Sequence, residues 1–305
     1  MPATRCNFRR RYLTSSLKTC LKNERHLQIV IINRIRRFLG ARLQMLRAKV
    51  ALRQILKTQI VSSASRFSRS RWSESLDDSI EFYNDCVRFF YQELPPSIRE
   101  HRRYFQLAKR GFGEDAFHAM WYFLCREFKP STFLEIGVYR GQILSLISLL
   151  SRQLNFHCDV TGVSPFLPAG DSVSTYRAGV DYMEDTVSNF RAFGLVPPKL
   201  VRAFSTDADA KNFILSRSWD VIYIDGNHDY EVAQQDWEVC SRIIKPGGII
   251  VLDDSSLGTN YRPPAFATAG HPGPSRLAEE IDPAIFLEIL RVGHNRVFQK
   301  KSLKY

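Results

Sequence analysis

Paired cysteines are missing from this 305-residue chain. Its six, Cys6, Cys20, Cys86, Cys125, Cys158 and Cys240, are scattered, with no C-x-x-C pair and no zinc-finger spacing. That pattern argues against a disulfide framework or a structural zinc site and predicts reduced thiols in a cytoplasmic protein. Long apolar runs are missing too: nothing approaches the ~20 residues that span a bilayer. Ile29-Val30-Ile31-Ile32 is stopped by Asn33 and Arg34, so neither a signal peptide nor a membrane helix is expected. Acid is nearly absent from one part of the chain. Residues 1–72 hold 18 of the 43 Lys and Arg but a single acid, Glu24, a local net of +17. The remaining 233 residues hold 25 basic and 30 acidic side chains, a net of −5. The overall +12 therefore belongs to an N-terminal arm, and the rest of the chain does not carry the electrostatic footprint of a nucleic-acid binder.

What is present reads as three regions. Residues 1–75 form a basic extension. Within it, 26–60 reads as an amphipathic helix, with Ile32, Leu39, Leu43, Leu46, Val50, Leu56 and Ile60 at spacings mostly of three and four, and Arg42, Arg47, Lys49 and Lys57 between them. This arm suits an anionic membrane surface, a partner or nucleic acid, or an organelle presequence; an extension without a role fits equally. A polar linker follows over 62–71. Residues 76–130 read as a helical cap, broken at Pro95-Pro96, with a further helix after Gly111-Phe112-Gly113. A chain beginning near residue 76 is expected to stay folded.

From 131 to 305 the pattern alternates. Strands are expected at Thr132–Ile136, Asp159–Val163, Leu200–Phe204, Val221–Ile224 and Gly248–Leu252, with helices near 141–152, 181–193, 206–217 and 230–244. Strands separated by helices of this length indicate βαβ units and a parallel sheet. The tail breaks the rule: Phe286–Leu290, a Gly293-His294-Asn295 turn and Arg296–Lys300 read as an antiparallel hairpin.

Three places carry chemistry. The first strand runs into Glu135-Ile136-Gly137-Val138-Tyr139-Arg140-Gly141 and then an apolar helix. Gly137 lets a ligand approach the backbone, and the helix start offers free N–H groups. The spacing is E-x-G-x-x-x-G, not the G-x-G-x-x-G of dinucleotide binders, and an acid there suits a cofactor with an ammonium group where a pyrophosphate would be repelled. The strand ending at Ile224 delivers Asp225 and His228, and Lys245-Pro246-Gly247-Gly248 leads to Asp253 and Asp254. Three carboxylates at one sheet edge are suited to holding a hard cation such as Mg²⁺.

At these places the chain resembles the class I, S-adenosylmethionine-dependent methyltransferases, over about residues 115–300. The narrower likeness is to the branch of macrocin-type sugar O-methyltransferases and cephalosporin hydroxylase relatives. The resemblance implies a Rossmann-like α/β fold, mostly parallel, closing on an antiparallel hairpin and preceded by a helical extension. It implies S-adenosylmethionine held by Glu135, Gly137 and Gly141, with Ser164 at the ribose and Ser205 and Asp207 near the adenine. It implies Mg²⁺ on Asp225, Asp253 and Asp254. Two positions depart from the pattern. Asn227 stands where some relatives carry a basic aspartate, leaving His228 as the candidate catalytic base, and Ser164 replaces the usual ribose-binding acid, a place Asp171 can fill instead. The Pro/Gly-rich stretch from Tyr261 to Pro274 reads as a substrate lid, with His271 a second candidate base. The expected activity is methylation of a hydroxyl on a sugar or other glycosylated small molecule. The alternatives are an RNA methyltransferase and a non-catalytic scaffold docked through the arm.

Overall fold

A computed structural model of the chain describes residues 34, 39–58, 67–171 and 173–302. The chain divides into two compact units, Met1–Arg53 and Gln54–Tyr305. In the first, the described residues 39–53 are helical, which is part of the helix expected over 26–60; the rest of that segment before 39 lies almost wholly outside the described residues. Leu39, Leu43, Leu46 and Val50 on it are exposed.

The second unit holds a seven-stranded sheet. Its strands are β1 (Thr132–Ile136), β2 (Asp159–Ser164), β3 (Lys199–Arg202), β4 (Trp219–Ile224), β5 (Ile244–Leu252), β6 (Phe286–Val292) and β7 (Asn295–Lys300). Their order is β3-β2-β1-β4-β5-β7-β6. β1 to β5 run parallel, and β7 is antiparallel to both β5 and β6. This is the mostly parallel, Rossmann-like α/β architecture with a closing hairpin. Its order reverses at β1, between β2 and β4, and a crevice for a ligand opens at such a switch point.

Five helices follow or connect the strands: α4 (Gln142–Gln153), α5 (Tyr182–Ala192), α6 (Ala208–Leu215), α7 (Tyr230–Ile243) and α8 (Pro272–Glu280). Each begins on a recognisable signal. Gly141 caps α4 in the left-handed region (φ +76°), and the Asp181 carboxylate caps α5 by accepting from the Met183 and Glu184 N–H groups. α8 begins inside the stretch expected to be loop, at Pro272, and runs on beyond its end at Pro274. Pro272 supplies its first turn, where a fixed φ and a missing N–H cost nothing.

Among the described residues of this unit, a single turn at Glu74–Asp77 and three longer helices precede the sheet: α1 (Ser79–Gln92), α2 (Pro96–Gln106) and α3 (Asp115–Phe128). Pro96 opens α2 at its first position, so the pair of prolines starts a helix that the sequence reading treats only as a break. They do not form a detached cap. Trp121 of α3 packs edge-on against Phe133 of β1 and Tyr223 of β4. The opposite sheet face is filled by Leu134, Ile136, Ile222, Ile250 and Leu252 against Ile214, Trp237 and Leu277 of α6, α7 and α8. Alternation along β1 thus sends Phe133 and Glu135 to the α3 side and Leu134 and Ile136 to the other.

The boundary expected at residue 75 falls inside the second unit. Phe67 is buried and stacked on Phe123 with centroids 4.1 Å apart, and Trp72 is buried as well. A chain beginning at residue 76 is therefore expected to lose these two aromatics, each worth about 3–5 kcal/mol when removed from a core. Its thermal melt should lie well below that of a chain beginning at Gln54, and equal melting temperatures would show that neither residue supports the α/β unit. Among the described residues no helix is long and apolar enough to cross a membrane. Cys86, Cys125, Cys158 and Cys240 are free thiols, while Cys6 and Cys20 lie outside the described residues.

Candidate active site

The ends of β1, β2, β4 and β5 are levelled by backbone hydrogen bonds that continue the ladder one residue beyond the strands. Gly137 N donates to Val163 O (3.0 Å), Asp225 N to Ile136 O (2.9 Å) and Asp253 N to Ile224 O (3.0 Å). Glu135, Gly137, Asp225 and Asp253 are thereby brought to one edge. Gly137 sits at φ +96°, and a β-carbon on it would lie 1.9 Å from Asp225 O. Only glycine fits there.

Glu135 is buried, and its Oε2 has no hydrogen-bond partner in the protein. Burial pushes its carboxyl up to about 8; the Leu144 N–H opposes the rise and the Asp253 charge adds to it. A buried acceptor without a partner costs free energy, so this oxygen fits a cationic or N–H-bearing ligand above the glycine turn. The amino end of S-adenosylmethionine has that character.

The other expected cofactor contacts are engaged locally. Ser164 Oγ donates to Val138 O (3.0 Å). Ser205 hydrogen-bonds the buried Asp236 carboxyl, which burial nonetheless lifts to about 6. Asp207 Oδ2 accepts from Phe204 N (3.0 Å) at the head of α6. Asp171 is engaged within the protein. It turns to His228, whose backbone N–H (2.7 Å) and Nδ1 (2.6 Å) both approach Asp171 Oδ2.

The three expected metal ligands divide. Burial first, and then the Asp253 charge, drive Asp225 well above the carboxylate range, and it hydrogen-bonds Asp253. Burial would raise Asp253 as well, but His294 holds it at about 2. His294 Nε2 lies 3.3 Å from Asp253 Oδ1. Burial would make His294 neutral, yet Asp253 and then Glu114 lift it to about 10. Asp254, at φ +50°, faces histidines: its Oδ2 lies 2.9 Å from His228 Nε2 and its Oδ1 3.9 Å from His294 Nε2. Charge compensation at this edge thus comes from a proton on Asp225 and from the His294 imidazolium. Among the described residues the donor groups that converge are His228, Asp254 and His271, and Asp253, Asp254 and His294. An all-carboxylate magnesium cage over Asp225, Asp253 and Asp254 does not fit this arrangement.

His228 is also changed by its surroundings. Burial would lower its pKa, but hydrogen bonds to Asp254 and then Asp171 raise it to about 9. At neutral pH it donates from both ring nitrogens and has no lone pair with which to act as a base.

Sequence reasoning missed His294 and Glu114. His294 lies in the β6–β7 turn, and the tightness of that hairpin was visible in the sequence, but its nearness to Asp253 follows only from β7 pairing beside β5. Glu114 precedes α3, and Tyr83 Oη donates to its Oε2 (2.6 Å).

Residues 134–255 match the family model described as a methyltransferase domain, running from β1 to just beyond the Asp253-Asp254 pair. Similar solved structures include an SAH-bound methyltransferase from Podospora anserina, 15% identical, covering 80% of this chain and 99% of its own, with a TM-score of 0.47. An O-methyltransferase from Bacillus cereus in complex with SAH is 15% identical, covers 76% and 100%, and has a TM-score of 0.46. The O-methyltransferase TomG from Streptomyces achromogenes, involved in tomaymycin synthesis and in complex with SAM, is 15% identical, covers 77% and 99%, and scores 0.44. No curated protein matches the chain.

Proposed function

We propose that this domain transfers a methyl group from S-adenosylmethionine to a hydroxyl of a sugar-like small molecule. The observation that carries the cofactor reading is the buried, unpartnered Glu135 Oε2 beneath the Gly137 turn. That acceptor suits the amino group, and the start of α4 beyond Gly141 suits the carboxylate. Methyl transfer is an in-line displacement at the sulfonium carbon, so the protein's task is to align the acceptor and receive its proton.

In this reading the acceptor hydroxyl lies at the β4–β5 edge, beside Asp254. Asp254 receives the proton as the methyl–oxygen bond forms and the methyl–sulfur bond breaks. His228, expected to be the base, instead holds that carboxylate in position from a ring anchored on Asp171. The expected magnesium ion carries no step in this reading, because Asp225, Asp253 and Asp254 do not together form one converging donor group among the described residues. The proposal is tested by incubating the full chain with methyl-labelled S-adenosylmethionine and a panel of sugars, glycosides and catechols. Label in a hydroxylated acceptor together with stoichiometric demethylated cofactor supports it; cofactor binding without turnover on any hydroxyl supports a scaffold instead.

A further inference from the structure

We propose that His228, Asp254 and His271 form a binding site for a divalent transition metal, of the zinc, cobalt or manganese class. This rests on the methyltransferase reading only for what the ion does, not for whether it binds.

One ligand atom from each of the three residues lies within 4.8 Å of the others. His228 Nε2 is 2.9 Å and His271 Nε2 3.9 Å from the same oxygen, Asp254 Oδ2. Donors bound at about 2.0–2.2 Å to one ion lie roughly 3–4 Å apart, so both spacings suit a shared metal. The longer one is too wide for a hydrogen bond, so an ion pair between His228 and Asp254 leaves the second imidazole unexplained. The two rings converge, with centroids 4.2 Å apart.

Each donor is fixed from behind. Asp171 grips His228 through the backbone N–H and Nδ1, which leaves Nε2 facing Asp254. A carboxylate on the far nitrogen of a histidine is the usual support for a metal-bound imidazole. His271 N donates to Asp254 O (2.8 Å), so these two ligands are tied by their own backbones. Gly270 and Gly273 allow that closeness: a β-carbon on Gly270 would lie 2.2 Å from the Asp254 carbonyl, and one on Gly273 2.1 Å from His228 O. The side chains of His228, Asp254 and His271 are 18%, 14% and 34% exposed, so an ion has a way in.

Two nitrogens and one oxygen select a borderline transition metal over Mg²⁺, which prefers oxygen. Three protein ligands leave open positions for an acceptor oxygen. A Lewis acid beside Asp254 would lower the pKa of a hydroxyl that it binds.

The test uses the full chain, stripped with chelator and titrated by calorimetry with Zn²⁺, Co²⁺ and Mg²⁺. We expect saturable binding of one Zn²⁺ or Co²⁺, a visible Co²⁺ absorption band, and Mg²⁺ affinity weaker by about 100-fold or more. Asp171→Asn should cost about 10- to 100-fold in Zn²⁺ affinity. His271→Ala should cost more, and Asp225→Asn should change it less than about threefold. No saturable site, a preference for Mg²⁺, or unchanged Zn²⁺ affinity in folded His271→Ala overturns the assignment. S-adenosylmethionine binding, measured in parallel, separates the two readings: its loss in the unmodified chain sinks the methyltransferase reading and leaves the metal result standing.

Discussion

Gly137→Ala is expected to abolish S-adenosylmethionine binding and to lower the melting temperature. The new β-carbon would stand 1.9 Å from Asp225 O and 2.5 Å from Gly226 Cα, and both are backbone atoms that cannot swing aside. The residue would also be held at φ +96°, outside the range side chains adopt cheaply. Overpacking and strain together cost on the order of 3–5 kcal/mol, or roughly 10 °C in a unit of this size. Any relief moves the β1–α4 turn away from the β4–α7 turn, and so opens the edge on which the cofactor is proposed to lie. Gly179→Ala is the control. Gly179 also has positive φ (+73°), but nothing lies within 4 Å of its added carbon, so only the strain remains and cofactor binding should persist. Unchanged melting and unchanged affinity in Gly137→Ala would remove this turn from the site.

Glu135 predicts a proton exchange that only a cofactor in the proposed place would cause. Its folded pKa of about 8 stands above its ordinary value of 4.5. Between those two values the folded chain keeps a proton that the unfolded chain has lost, so this group makes stability fall as pH rises through that window. The cost is complete above pH 8 and amounts to a few kcal/mol. Glu135→Gln should therefore raise the melting temperature of the ligand-free protein at pH 8.5 and leave it little changed at pH 4.5. An ammonium group arriving over the carboxyl favours its ionised form. Cofactor binding at pH 7 should thus release close to one proton, read as a dependence of the calorimetric enthalpy on the buffer's ionisation heat. In Glu135→Gln that release should vanish and affinity fall by about 100-fold or more, as when one partner of a buried charge pair is removed. Proton-neutral binding in the natural chain, together with undiminished affinity in the variant, would place the amino group elsewhere.

The sequence by itself determined the five parallel strands and the four helices between them, because a buried parallel strand must be apolar on both faces and Thr132–Ile136 and Val221–Ile224 are nearly so. It determined the closing hairpin, since Gly293 and His294 stand in a tight turn between two apolar runs. Glu135 and Gly137 were legible for the same local reason: an acid and a glycine at the end of one strand, with a helix starting behind them. The helix at Pro272–Glu280 was not legible, because prolines at its first turn look the same as prolines in a loop. Nor was the burial of Phe67 and Trp72, whose partners Phe123 and Phe128 each lie more than fifty residues away. The chemistry of the acidic edge was decided wholly by tertiary structure. Asp225, Asp253 and Asp254 read as three equal carboxylates in the sequence. Folding brings a histidine from the β6–β7 turn against Asp253, and directs Asp254 at two more from separate segments. Spacing along the chain carries no information about such long-range neighbours, and their charges set which groups hold protons and which are left to bind.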